Sequence, residues 1–455
     1  MKDVAVIICN FNKKDYLVKC LASLQNSSYT EFDIYVVDNA STDGSVSMLE
    51  EEFEGMINLI KNTENIGGSG GFNTGMRIAL EKDYKYLYLL DNDVVLERNA
   101  LQELYLYAEN NNDVGMLGSV IYSMDNPEQI QEIGSIVDWD KFQIKLNYRG
   151  YKDNDGLLPE VVDCDYVAVC SALISVAAVR KVGLMDANYF IYWDDIEWGH
   201  RMKLAGYRVA ANAKSKVWHK TGVSVRTDTF ATYYFWRNRV QFFVKYLAEK
   251  ELEIFAWQLF TEVFQAVYSC NYTGKFSSAK SIVIAVADAL SNVQRKAAEG
   301  RIHTIEAMEN KLEKTFKDKE SILIFDYPDI KVLRDIIKRV REVSPKAKIT
   351  LVAETYSPEL LISQFIECRV TDSSTADYED FDLSCEICSH IFDVRNNLND
   401  KRVYIDGYFN LISTKEDREI VQGYDRAYEL HKNIYFPLFL AQIKVLHYKI
   451  SQKIR

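Results

Sequence analysis

The sequence predicts an α/β protein with two parallel-sheet units joined through a helical segment. Three observations predict it. Short apolar runs bounded by polar residues recur at 4–9, 32–37, 57–60 and 86–90. Runs of this length without strict alternation fit strands buried on both faces. Helix-compatible stretches separate them, and such βα alternation builds a parallel sheet covered by helices. The same rhythm restarts after the charged stretch at 301–320, with ILIFD, VLRDIIKRVREV, KITLVAE and CRVTD.

Each element has its own local reason. A helix follows the first strand over 15–25, and the second strand ends at Asp38. Ser41 or Thr42 is a candidate cap for a helix running to Phe53. After the third strand, 65–75 reads as a glycine-rich loop, and a helix over 72–81 leads to the strand before Asp91. From 114 to 220 the pattern is mixed, with strands that are partly antiparallel. Residues 195–204 read as a helix, with Glu197 and Arg201 one turn apart and Gly206 at its C-terminal end. Residues 228–300 are helical and aromatic, 301–320 form a linking helix, and the chain from Glu416 onward is helical. The expected organisation is a nucleotide-sugar type domain at 1–245, a helical extension at 246–318, a small Rossmann-like α/β domain at 319–415 and a helical basic tail at 416–455.

Composition narrows the classes. The 455 residues are 48% hydrophobic, enough for full cores, and the net charge of −12 excludes a general nucleic-acid binder. The eight cysteines lack a disulfide framework's spacing, so reduced thiols in a cytoplasmic compartment are expected. Cys385 and Cys388 form a lone CxxC without the second ligand pair a zinc site needs. The N-terminal run is too short for a signal peptide, and no stretch of 18 apolar residues exists to span a bilayer.

Candidate chemistry collects at the carboxyl ends of the predicted strands, where ligands bind in open α/β sheets. Asn10, Asp38, the 65–75 loop and the pair Asp91 and Asp93 all lie there. Asp91 and Asp93 are two apart, so on a strand they face the same side, as hard oxygen ligands for Mg²⁺ or Mn²⁺. Gly67, Gly68, Gly70, Gly71 and Gly75 permit close backbone approach to a ligand. However, Asn73 stands where a dinucleotide fingerprint has its third glycine, and the P-loop Lys-Ser/Thr is absent. Asp38 can accept a hydrogen bond from a base or ribose, or simply form a turn. Asp194 and Asp195 open a helix, framed by aromatics, and supply a candidate carboxylate base. His219, in WHKTG, offers an imidazole to complete a metal site.

In this order CNFN, VVDNASTDGS, NIGGSGGFNTG, LLDNDV, WDDIEWGHR and WHKTG resemble family 2 glycosyltransferases with a GT-A fold, over about residues 1–245. The glycine-rich form, WDD and the RNR at 237–239 are similar to the branch with galactofuranosyl- and rhamnosyltransferases. The resemblance implies a metal-dependent, inverting transfer from a nucleoside-diphosphate sugar, UDP- or dTDP-linked, to a glycan or lipid-linked glycan of the cell surface. Asp38 would contact the nucleobase, with Asn10 nearby, and Gly68, Gly70, Gly71, Asn73 and Asp91 would complete the donor site. Asp93 would bind Mn²⁺ or Mg²⁺, Asp91 would reach metal or ribose, and His219 would be the further ligand. Asp195 would be the catalytic base, and Asp194 stands where the family commonly has Glu.

Two other readings stand beside it: a non-catalytic carbohydrate- or protein-binding module on the same fold, and a nucleotidylyltransferase. The latter expects an Arg and a glycine-rich pyrophosphate loop where this chain has NFNKKD. The tail from His431 carries five cations and no acid. It suits either contact with the inner face of an anionic plasma membrane or a packed helix with a solvated basic face. The C-terminal unit also offers a surface for homo-oligomer assembly.

Overall fold

A computed structural model describes residues 2–153, 158–220, 227–305, 311–373, 380–394, 398–399 and 402–454. Thr221 and Gly222 of WHKTG, residues 306–310 and Arg455 lie outside them.

The chain begins β1 (Val4–Asn10), α1 (Lys14–Gln25), β2 (Phe32–Asp38), α2 (Ser45–Glu52), β3 (Asn58–Lys61), α3 (Gly67–Ala79) and β4 (Tyr86–Asp91). Strands β4, β1, β2 and β3 lie side by side and parallel. Alternate residues of β1 enter different cores. Val4, Val6 and Ile8 meet Leu17, Leu21 and Leu24 of α1, whereas Ala5 and Ile7 meet Phe72 and Met76 of α3. That two-sided burial explains why the strand reads as an unbroken apolar run.

Next come β5 (Val94–Leu96), α4 (Ala100–Asn110), β6 (Val114–Ser123), β7 (Ile130–Glu132), β8 (Ser135–Asp138), β9 (Gln143–Leu146), β10 (Val161–Asp163) and β11 (Ser171–Ser175). They are followed by α5 (Val176–Val182), α6 (Asp194–Leu204) and β12 (Arg208–His219). Strand β11 runs antiparallel between β4 and β6, and β12 returns parallel to β6, so the main sheet is mixed, with order β10-β12-β6-β11-β4-β1-β2-β3.

Two expectations change in this unit. Helix α2 is preceded by Gly44 in a left-handed conformation, with no side-chain cap; Ser41 and Thr42 instead bond to Asn10, Asp38 and Asn12. The expected glycine-rich loop is the first half of α3. Its glycines are there for packing. A Cβ on Gly71 would lie 2.3 Å from Cys9 Sγ, and one on Gly75 2.5 Å from Ile7 Cγ2. Only Gly67 needs a positive φ, +84°, and its Cβ position is filled by the Phe190 carbonyl oxygen. Gly75→Ala is therefore expected to destabilise the fold by about 1–3 kcal/mol through overpacking. A lower urea midpoint at unchanged m-value would register it.

Helices α7 (Phe230–Tyr246), α8 (Leu252–Tyr272) and α9 (Phe276–Leu290) pack together beside the main sheet. The second sheet follows: α10 (Lys311–Phe316), β13 (Ser321–Phe325), α11 (Ile330–Val343), β14 (Lys348–Ala353), α12 (Pro358–Gln364), β15 (Arg369–Asp372), β16 (Leu383–Cys388), β17 (Arg402–Asp406) and β18 (Leu411–Ile412). Its order is β15-β14-β13-β16-β17-β18, parallel except for β18. Of the expected linking helix at 301–320, the described residues show α10, whose Leu312 and Phe316 are buried in this second core; residues 306–310 lie outside the described residues. Asp326, at the end of β13, accepts the backbone amides of Glu354, Thr355 and Tyr356, which accounts for its carboxylate structurally. The units meet where Arg334 Nε donates to the Gly150 carbonyl at 2.8 Å. The chain closes with α13 (Lys415–Gln422) and α14 (Tyr424–Ile454), the latter packed on α7 and α8. All eight cysteines are free thiols, and no described helix is long and apolar enough to cross a membrane.

Candidate active site

Strand β4 stops at Asp91, and Asn92 and Asp93 form the turn into β5. The strand alternation expected to align the two aspartates therefore does not operate. The turn does the work, with help from the last residues of β12. These pair antiparallel with β5 and set His219 opposite Val94. The carboxylates of Asp91 and Asp93 and the His219 imidazole thereby gather, with one ligand atom from each lying within 4.8 Å of the others. His219 Nε2 stands 3.4 Å from Asp93 Oδ1 and 3.9 Å from Asp91 Oδ2. The other oxygen of Asp93 pairs with the Lys13 ammonium.

Charge sets the protonation of this group. Burial would raise the Asp93 carboxyl, but His219 and Lys13 outweigh it and hold it below the usual range. Asp91 is pushed up, first by desolvation and then by Asp93. Burial would lower the His219 imidazole, yet the two carboxylates raise it. Two hard oxygens and an imidazole beside an ammonium counter-charge form a donor set that fits a small divalent cation.

A buried polar chain ties this turn to the neighbouring strand ends. Asn92 Nδ2 donates to Asn10 Oδ1 at 2.6 Å, and Asn10 Nδ2 donates to Asp38 Oδ1 at 2.8 Å. Asp38 Oδ2 accepts from the Ser41 amide at 2.8 Å. Asp38 is 1% exposed and Asn10 is 0% exposed. Each Asp38 oxygen thus accepts one internal hydrogen bond and keeps a second lone pair, and the chain braces Asp38 and Asn10 at the strand ends. Asn73, Gly70 and Gly71 are also held by internal contacts. Asn73 bonds both the nitrogen and the carbonyl of Met185, while Cβ atoms on Gly70 and Gly71 would collide with Ile66 and Cys9. Gly68 alone of these stays partly open.

The second pair of acids is held by an unusual loop. Phe190, Tyr192 and Trp193 all have positive φ, which is costly for bulky residues. Asn238 fixes them: its Nδ2 donates to the carbonyls of Tyr189, Ile191 and Tyr192 at 2.8–2.9 Å. Arg237 bonds the Tyr189 and Arg295 carbonyls, and Arg239 bonds Phe142. The RNR segment is thus a clamp on the backbone that enters α6. Glu197, fully buried, pairs with Arg201 of its own helix and ties α6 to α7 through Lys245 and Tyr246.

Asp194 and Asp195 open α6. Burial pushes Asp194 up to about 6; the helix amides pull it down and Asp91 pushes it further up. Asp195 is driven well above the carboxylate range by burial, then by Asp194 and by Glu132. Glu132, on β7, is itself raised by burial, accepts from Ser135 Oγ at 2.9 Å and feels the charge of His219. The electrostatic links therefore run from Asp91 to Asp194 to Asp195 to Glu132 and on to His219. Lys13, Asn92, Glu132 and Asn238 are site residues that the sequence reading does not single out. Asn92 stood inside LLDNDV and Asn238 inside RNR, while Glu132 and Lys13 carry no local signal. Asn238→Ala should lower kcat by about 10²-fold through misplacement of α6. Steady-state kinetics beside donor titration would check it, with donor affinity expected to hold.

Residues 5–173 match the model of glycosyl transferase family 2. Over that stretch the chain is similar to that family. The family segment carries Asp91 and Asp93, and α6 and β12 supply Asp194, Asp195 and His219 from beyond its end. The chain is 29% identical over 155 residues to the poly(ribitol-phosphate) beta-N-acetylglucosaminyltransferase of Staphylococcus aureus, covering 32% of this chain and 46% of that protein. It is 24% identical over 197 residues to a galactofuranosyltransferase of Mycobacterium tuberculosis, covering 40% and 31%. Among solved structures, a mannosyltransferase from Pyrobaculum calidifontis, in complex with GDP-Man and Mn²⁺, matches with a TM-score of 0.41 and 18% identity, covering 63% of this chain and 80% of that one. The chain thus spans less than half the length of these two curated relatives.

Proposed function

We propose that the protein transfers a sugar from a nucleoside-diphosphate donor, UDP- or dTDP-linked, to a hydroxyl of a surface glycan or lipid-linked glycan, with inversion. The observation that carries the reading is the single electrostatic neighbourhood linking Asp91, Asp93 and His219 to Asp194 and Asp195. Asp91, Asp93 and His219 would hold Mn²⁺ or Mg²⁺, which when bound neutralises the departing diphosphate. Asp195 takes the proton of the acceptor hydroxyl, whose oxygen forms the new bond to the anomeric carbon. The bond to the diphosphate breaks and its electrons leave with the phosphate oxygen. Asp194, adjacent and buried, keeps Asp195 basic through like-charge repulsion. Residues 1–245 carry this chemistry in our reading, and the unit at 319–415 does not.

A panel of UDP- and dTDP-sugars with Mn²⁺, followed by product identification, tests the proposal. Transfer or donor hydrolysis that disappears with chelator is expected. Donor binding without turnover across the panel would leave a binding module instead.

A further inference from the structure

Helix α14 has two unlike faces. Phe436, Phe439, Leu440, Ile443 and Leu446 face inward and join the core of α7 and α8. Leu430, Ile434, Leu438, Val445 and Tyr448 face outward, each more than half exposed. They recur at i, i+4, i+8, i+15 and i+18, one continuous stripe about 27 Å long at helical rise. Tyr435 lies beside the stripe, whereas Trp257 of α8 packs on the inner side, its ring 5.0 Å from Phe436 and capped by Lys432.

The charge around this stripe is opposite to that of the chain. From residue 430 onward there are four lysines and one arginine and no acid, in a protein of net charge −12. Lys432 is engaged with Glu429, but Lys444 and Lys449 are exposed on either side of Val445 and Tyr448. Bringing a second copy onto the stripe would set like cations against one another. An apolar face of Leu, Ile, Val and Tyr flanked by lysines suits a surface that is oily beneath and anionic above.

We propose that the outer face of α14 docks on an anionic lipid bilayer. The apolar stripe enters the headgroup–acyl boundary and the lysines meet lipid phosphates. This inference rests on the tail alone and is independent of the chemistry assigned to the cleft.

Sedimentation of the full chain with phosphatidylcholine vesicles, with and without phosphatidylglycerol, tests it. Binding to the anionic vesicles is expected, about tenfold or more weaker on neutral vesicles and in high salt. Leu438→Ser/Tyr448→Ser and Lys444→Gln/Lys449→Gln should each weaken binding about tenfold or more, with circular dichroism unchanged. The stripe substitutions are on exposed positions, so they spare the core. No binding to either vesicle, or equal binding to both, overturns the proposal. So does a dimer in sedimentation velocity that the Leu438→Ser/Tyr448→Ser variant converts to monomer, because a second copy then covers the face.

Discussion

Asp195→Asn is expected to lower the rate of sugar transfer by about 10²–10⁴-fold, the usual worth of a positioned base. Nucleotide binding should survive, since the exchange keeps the shape and the acids at 91 and 93. The pH profile gives a second readout. Burial and the charge of Asp194 raise the Asp195 carboxyl, and Asp194 itself is raised to about 6. The base must be ionised to act, so kcat should climb with pH across that raised range in the native chain. In the variant this limb should vanish. Stability moves the other way. A carboxyl whose folded value is raised favours the fold at low pH, and that contribution is lost as pH rises through the folded value. Asp195→Asn removes one charge from the buried pair, so at pH 8 the variant should be no less stable than the parent, which urea unfolding would measure. A variant both inactive and unfolded would instead make Asp195 a structural residue.

The second large effect is at Asp93. Its two oxygens face different partners, the His219 imidazole and the Lys13 ammonium, and the side chain is 2% exposed. Asp93→Asn should leave the turn intact while removing the charge proposed to hold a cation. Transfer should fall by about 10³-fold, matching several kcal/mol of lost charge stabilisation. Excess Mn²⁺ should not restore it. Lys13→Ala has the opposite sign for the metal: it removes an ammonium that competes for Asp93, so Mn²⁺ affinity should rise. Electron paramagnetic resonance titration of Mn²⁺ reads both. If Asp93→Asn binds Mn²⁺ as the parent does, the cation is held elsewhere.

How far the sequence reaches depends on the range of the interaction. The βα rhythm is legible because alternate residues of strands such as β1 face two separate cores, which prints an apolar run. Asp91 and Asp93 stand out because a strand-ending pair of acids is a local signal. The pairing of β12 with β5 that brings His219 to them is a long-range fact, reachable only through the motif order. Glu132 carries no motif: it sits on a three-residue edge strand paired with β6, and what makes it matter is its charge coupling to Asp195. The misreading of 65–75 has a different origin. Glycine is scored as a loop former because it weakens isolated helices, whereas here tertiary contact with β1 and β2 demands it within a helix. The bonds from Asn10 and Ser41 that brace Asp38 are likewise long-range or turn-borne and leave no local pattern.

The tight seating of α3 has a practical corollary for anyone hoping to retune donor preference. Positions 71 and 75 offer no room for variation, because an added carbon meets the sheet, and at position 70 it meets the Ile66 side chain. Libraries spread over that run would return mostly unfolded protein. The productive search space narrows to Gly68 and to the loop that Asn238 staples in place, where a new side chain can alter the cavity without first dislodging the scaffold.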